Sequence, residues 1–328
     1  MSLKVLFIGG TGNISLPCVK EAVSAGHQVT VFNRGARSEK LPPGVASIAG
    51  DLKDAAYRDL GKQGFDVVCQ FICFNAAQMQ EDVAAFLGKV GQYIFISSAS
   101  IYEKPPRHYV ITEETPTVNP YWPYSQDKIA CEAVLKGQRR KGWTIIRPSH
   151  TVRTHIPTMF NDADGAAHRM MAGKPVLIAG DGSTPWTLTR CADFAVPFVR
   201  LFGKEAALGD AIHITSDNAY TWNDIYAVIA DGLGVTADVV HVPTETLVRY
   251  HHPWEGPLMG DKTWTAIFDN SKLKRLVGDF KCAKELTEVL AEPIAHCKAR
   301  VAAAAAPVVG ELDPLMDRIA REQRALGA

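Results

Sequence analysis

Lys4-Val5-Leu6-Phe7-Ile8-Gly9-Gly10-Thr11-Gly12 is the stretch that decides the fold. Its apolar run, closed at once by glycines, predicts a central parallel strand buried on both faces. From residue 13 to 25 the spacing turns helical, and Gly26 stands where a C-terminal cap belongs. A strand, a glycine turn and a helix in that order bring backbone amides to a helix N-terminus, where a pyrophosphate binds. Gly9 permits the tight turn and Gly12 lets the backbone approach the phosphates. Ser15 occupies the place of a third glycine and is still small enough for helix–strand packing.

Working outward, further strands are expected at 29–32, 46–49, 66–71, 92–97 and 143–147, with a helix around 81–90 and another from Tyr124 to about Arg140. This alternation predicts an α/β fold, a doubly wound parallel sheet of the Rossmann type with a smaller, interleaved C-terminal lobe. Residues 1–150 are expected to form the dinucleotide-binding domain, with returns of the chain near 189–215 that include a strand at 211–214. Residues 151–328 are expected to form mainly a substrate-binding lobe, with a helix ending in the alanine run before Pro307 and a terminal helix at 314–326.

Composition narrows the function classes. Lys plus Arg and Asp plus Glu are equal at 35 each, so no global basic field advertises nucleic acid or an anionic membrane. No apolar run is long enough to span a bilayer, and no leader pattern precedes the first strand. The cysteines, Cys18, Cys69, Cys73, Cys131, Cys191, Cys282 and Cys297, are odd in number and scattered. They predict free thiols in a reducing cytoplasm and no metal site.

Tyr124 and Lys128 lie four residues apart on an expected helix, hence on one face. A phenol beside an ammonium has its ionised form favoured, which predicts a lowered Tyr124 pKa and an acid/base role. The end of the second strand carries Asn33, Arg34 and Arg37 where an acidic residue would select an unphosphorylated ribose. Guanidiniums there suit a 2'-phosphate, so NADP(H) is favoured, with NAD(H) as the alternative. Asp51 and Leu52, after the third strand, are placed to meet the adenine.

Together these residues resemble the extended short-chain dehydrogenase/reductase superfamily, in its NAD(P)-dependent epimerase/dehydratase branch. Gly9-Gly10-Thr11-Gly12 resembles its cofactor loop, and Ser97-Ser98-Ala99-Ser100-Ile101-Tyr102 its fifth-strand motif. Tyr124 with Lys128 is similar to its active-site pair, Arg147-Pro148 to the close of its sixth strand. Gly180-Asp181-Gly182 and Asp269-Asn270-Ser271-Lys272 resemble its substrate-lobe signatures. The resemblance implies catalysis by Ser98, Tyr124 and Lys128: Tyr124 exchanges a proton with a substrate oxygen, Ser98 fixes that oxygen, and Lys128 holds the nicotinamide ribose. It implies cofactor binding by Gly9, Thr11, Gly12, Asn13, Ile14, Asn33, Arg34, Arg37, Asp51, Leu52, Phe74, Lys128 and Pro148. Substrate candidates are Trp122, His150, Arg153 and Trp186, with His155 close by.

Departures from the pattern also inform. Ala99 and Ser100 replace the acidic pair of the dehydratases, and Trp186-Thr187-Leu188 replaces an Arg-Asp-Phe segment used for diphosphates. Asn33-Arg34-Gly35, Gly260-Asp261-Lys262 and the segment 267–277 are similar to a subgroup that includes chloroplast stem-loop RNA-binding proteins, which tend to lose the tyrosine kept here. The expected function is reversible hydride transfer at a secondary alcohol or ketone of a sugar-like molecule, as reductase or epimerase, by a cytoplasmic monomer or homodimer that binds no nucleic acid. An RNA binder on the same frame and a cofactor-binding regulatory protein without turnover are the alternatives.

Overall fold

The computed structural model describes residues 2–35, 41–304 and 310–326. Seven strands form the main sheet: β1 (Lys4–Ile8), β2 (Gln28–Asn33), β3 (Ala46–Ala49), β4 (Val67–Gln70), β5 (Gln92–Ile96), β6 (Trp143–Pro148) and β7 (Asp210–Ile214). Their order is β7-β6-β5-β4-β1-β2-β3, and every neighbouring pair is parallel. The direction of winding reverses between β1 and β4, which opens a crevice at the strands' carboxyl ends.

Alternation along β1 divides the core. Val5 and Phe7 pack with Cys18 and Val19 of helix α1 (Ser15–Ser24). Leu6 and Ile8 pack on the other face with Met79 and Phe86 of α2 (Ala76–Phe86) and with Cys131 and Leu135 of α3 (Pro123–Lys136). Helix α4 (Cys191–Arg200) covers the first face beside α1 through Phe194 and Phe198. Val5, Leu6, Phe7 and Ile8 are fully buried, each stabilising the sheet by roughly 1.5–3 kcal/mol.

Two helices differ from expectation at their ends. Helix α2 begins at Ala76 and not at 81, because the Asn75 side chain caps it by accepting from the Gln78 amide at 2.9 Å. Helix α3 stops at Lys136, ahead of Gly137.

After β6 the chain builds a second hydrophobic core. A parallel strand pair, Val176–Ala179 with Val239–Val242, packs with helices Trp222–Leu233, Leu286–Ala303 and Asp313–Leu326. The helix Leu286–Ala303 ends inside the alanine run; Pro307 and Arg37 lie outside the described residues. Leu188–Arg190 pairs with His150–Val152 as the chain returns toward α4 and β7, and Ile267–Phe268 pairs with Val110–Ile111. No helix among the described residues is long and apolar enough to cross a membrane.

Several motif residues support the frame. Arg147, buried, grips Glu132 with both sides of its guanidinium at 3.0 and 2.7 Å, and also donates to the Tyr102 hydroxyl at 3.1 Å. Tyr102 contacts His213 Nδ1 at 3.1 Å, and His213 Nε2 lies 2.6 Å from the Asp269 carbonyl. Removing Glu132 would leave the buried Arg147 guanidinium without its carboxylate, at about 3–5 kcal/mol, whereas Glu132 has a second partner in the Lys136 ammonium at 2.8 Å.

Candidate active site

Two cavities, of about 850 and 480 Å³, open along the carboxyl ends of the strands and share Gly9, Gly12, Ile72 and Phe74 in their walls. They adjoin along these four residues. Phe74 stands at the junction, half exposed, with the Lys128 ammonium 4.7 Å from its ring centre.

The larger cavity is built by the glycine loop and the ends of β2 and β3. Gly9 has φ +82°, and a Cβ there would stand 2.6 Å from Ile72 Cγ2, so the turn and the close approach both require glycine. Ser15 does more than fit. Its hydroxyl donates to the Gly9 carbonyl at 2.6 Å and accepts from the Gly12 amide at 2.7 Å, locking the loop. Thr11, Asn33, Arg34, Asp51 and Leu52 line this cavity as expected from their strand ends. The Asn33 side chain accepts from the Gly35 amide at 2.9 Å and so shapes the turn that presents Arg34. Arg34 is exposed and has no hydrogen bond or ion pair among the described residues. Beneath the cavity, Asp82 accepts from Tyr57 at 2.6 Å and from Tyr93 and Gln70 at 2.7 Å each. Burial raises its pKa to about 6 despite those three donors.

The smaller cavity gathers Asn13, Ile14, Ser98, Trp122, Tyr124, Lys128, Pro148, His150 and Trp186. Ser98 lies just past β5 and Tyr124 in the first turn of α3, and both face this cavity. A chain of hydroxyls fixes Ser98: it lies 2.9 Å from Ser100, which lies 2.7 Å from the buried Ser125.

Lys128 is almost completely buried. Its ammonium donates to the carbonyls of Cys73 at 2.8 Å and Ile96 at 2.9 Å, and burial lowers its pKa to about 8. The expected lowering of the Tyr124 pKa by Lys128 is not found. Burial pushes that pKa up, the Ser98 hydroxyl opposes the rise and Asp261 adds to it. The ammonium is held by two backbone carbonyls, 5.9 Å from the Tyr124 ring centre.

Two of the substrate candidates are placed differently from the rest. Arg153 is absent from the lining of either cavity; it turns to the glycine loop, where its Nε donates to the Asn13 carbonyl at 2.9 Å. Trp186 touches the cavity but is only 2% exposed, and its indole N–H donates to His150 Nδ1 at 3.1 Å. It is a wall, too covered to stack broadly on a ring. That bond leaves the His150 proton on Nε2, and burial holds the imidazole neutral, with a pKa near 3. Trp122 remains half-buried against Tyr124 at 5.1 Å between ring centres. His155 is largely exposed, 3.5 Å from Asp164.

Other residues of the site were missed in the sequence. Asn119, buried, donates to the Ser100 carbonyl at 2.8 Å and the Gly260 carbonyl at 2.6 Å, and accepts from the amides of Tyr121 and Trp122. Lys104, Asp261 and Lys262 line the small cavity. Gly260-Asp261-Lys262 was visible as a motif, but nothing in its spacing placed it at the site; Lys104 and Asn119 carry no local signal.

The cleft suits a dinucleotide. Its loop needs glycine where a backbone must be approached closely, and Ser97, in the wall of the small cavity, has a buried hydroxyl with no hydrogen-bond partner among the described residues.

Residues 9–159 match a family described as NAD(P)H-binding. The chain is 27% identical to 2'-dehydrokanamycin reductase of Streptomyces kanamyceticus, over 85% of its own length and 80% of that protein. It is 29% identical to the chloroplast stem-loop binding protein of 41 kDa b of Arabidopsis thaliana, over 73% of its length and 65% of the relative. The solved UDP-Glc/GlcNAc 4-epimerase of Campylobacter jejuni shares the fold at a TM-score of 0.73 and 18% identity, covering 91% of this chain and 100% of the other. Sheet order, glycine loop and the NAD(P)H-binding match together give the chain an NAD(P)H-binding domain of the Rossmann type, in a fold it shares with solved epimerases and with sequence similarity to a reductase.

Proposed function

We propose that this protein is an NADP(H)-dependent reductase that acts reversibly at a ketone or secondary alcohol of a small, sugar-like molecule, with Tyr124 as the acid/base. The observation that carries the reading is the meeting of Tyr124, Ser98 and Lys128 in one cavity that shares Gly9 and Gly12 of the glycine loop with the larger cavity beside it. A bound nicotinamide supplies or accepts the hydride. Tyr124 passes its proton to the substrate oxygen as the alcohol forms, and its raised pKa keeps that proton available at neutral pH. Ser98, steadied by Ser100 and Ser125, donates a second hydrogen bond to the same oxygen. Lys128 would hold the nicotinamide ribose, and Arg34 the 2'-phosphate.

Reduction is favoured over epimerisation for two reasons. The relative with the larger aligned share is named a reductase, and the cleft is exposed at Arg34 and Phe74, as suits a cofactor that exchanges. Identifying the nucleotide released on denaturing the purified protein, together with NADPH oxidation on a panel of keto-sugars, tests this. Tightly retained NAD+ with no net oxidation of NADPH would point to an epimerase.

The likeness to a stem-loop binding protein supports a second reading, as an RNA binder. The balanced charge speaks against it. A titration with stem-loop RNA at physiological salt should give no binding tighter than the nonspecific micromolar range. Submicromolar, structure-selective binding without any cofactor-induced rise in melting temperature would reverse the ranking.

A further inference from the structure

Beside Tyr124, the small cavity holds two charges that the fold leaves unused. Lys104 lines it and is only 4% exposed, yet its ammonium has no hydrogen bond or ion pair among the described residues. The Asp261 carboxylate, also in the wall, accepts no hydrogen bond from them. Lys262 differs: its ammonium donates to Asn161 Oδ1 at 2.6 Å and lies 5.7 Å from the Trp122 ring centre. Asp261 feels both lysines, and the Tyr124 phenol feels Asp261. The unused donor and the unused acceptor therefore belong to one cavity with the oxygen-handling phenol.

Their unmet hydrogen-bonding capacity defines what they would bind. An ammonium can only donate and a carboxylate can only accept. A ligand ammonium would satisfy Asp261 but face Lys104 and Lys262 as like charges. A ligand carboxylate would satisfy Lys104 but be repelled by Asp261. A hydroxyl accepts from Lys104 and donates to Asp261 at once, and brings no charge. We propose that Lys104 and Asp261 form a specificity subsite that reads one neutral hydroxyl of the substrate near its reacting carbon, selecting a hydroxylated ring over an aminated or acidic one. The inference rests on the reading of this cavity as the site of ketone reduction.

The test measures binding to the NADP+-loaded protein, in which a ketone cannot turn over. Isothermal titration calorimetry compares 2-keto-myo-inositol, a neutral polyhydroxy ketone ring, with cyclohexanone, the same ring without hydroxyls. The wild type should bind the hydroxylated ring at least about tenfold more tightly. Lys104→Met and Asp261→Asn should each lose about tenfold for that ring and nothing for cyclohexanone. Thermal melts check that the variants fold; if Lys104→Met does not, Asp261→Asn carries the test. Equal binding of the two rings, no binding of the hydroxylated ring, or wild-type binding by the variants overturns the subsite. NADPH oxidation with the same ketone, run alongside, separates the two ideas. Binding that depends on Lys104 and Asp261 without oxidation leaves the subsite standing and removes the reductase reading.

Discussion

The side-chain amide of Asn119 donates to the Gly260 carbonyl at 2.6 Å, joining the segment before α3 to the turn that carries Asp261 and Lys262. The same amide donates to the Ser100 carbonyl, and Asn119 Oδ1 accepts from the backbone where α3 begins. One buried side chain thus ties together the Ser98 turn, the Tyr124 helix and the far wall of the cavity.

Asn119→Ala should therefore lower stability by ~1–3 kcal/mol, because buried backbone groups lose their partner. It should also raise KM for the substrate, since both walls of the cavity lose their tie. Urea unfolding and steady-state kinetics check this; unchanged values for both would mean that the three segments hold their places without it.

Arg34→Ala should weaken NADPH much more than NADH. Only NADPH offers a 2'-phosphate, and charged hydrogen bonds contribute roughly 1.5–3 kcal/mol, or about 10- to 150-fold in affinity. Fluorescence titration with both nucleotides measures the difference. Equal losses would place Arg34 on a part common to the two.

Lys128 gives a pH dependence of stability. Burial lowers its pKa from 10.5 to about 8 in the folded protein. The folded state thus holds fewer protons than the unfolded one between those values, and this group's contribution rises with pH across the window. It is greatest above 10.5 and is lost as pH falls through about 8. Relative to Lys128→Met, the cofactor-free wild type should gain stability from pH 8 to 10, with a ceiling of ~3 kcal/mol. Parallel denaturation curves at those pH values report the gain; a constant difference would show that the ammonium is not strained by its burial.

Much of the fold was legible because its signals are local. The apolar run before Gly9 and the alternation after it predict the parallel sheet, and each expected main-sheet strand is present. Helix ends were less legible: the start of α2 depends on Asn75 finding the Gln78 amide. The meeting of Tyr124, Lys128 and Ser98 in one cavity could be expected because they sit at fixed offsets from strands and helices. For Arg153, the place after β6 says which end of the sheet it occupies, but not that its side chain turns to the glycine loop. Asn119, Lys104 and Asp261 join the site only through contacts distant in sequence. The sign of the Tyr124 shift was misjudged for a related reason. Spacing brings Lys128 near the ring, but burial and two backbone carbonyls decide where its charge is spent.

The most direct test of the account is Tyr124→Phe, assayed for turnover of the true substrate and for nucleotide affinity in the same preparation. General acid/base catalysis contributes roughly 10²–10⁴-fold, so turnover should fall at least about a hundredfold. NADPH affinity should stay within a few-fold, because the hydroxyl serves the substrate oxygen and not the cofactor. A Tyr124→Phe protein that keeps full turnover would contradict the assignment of Tyr124 as the acid/base.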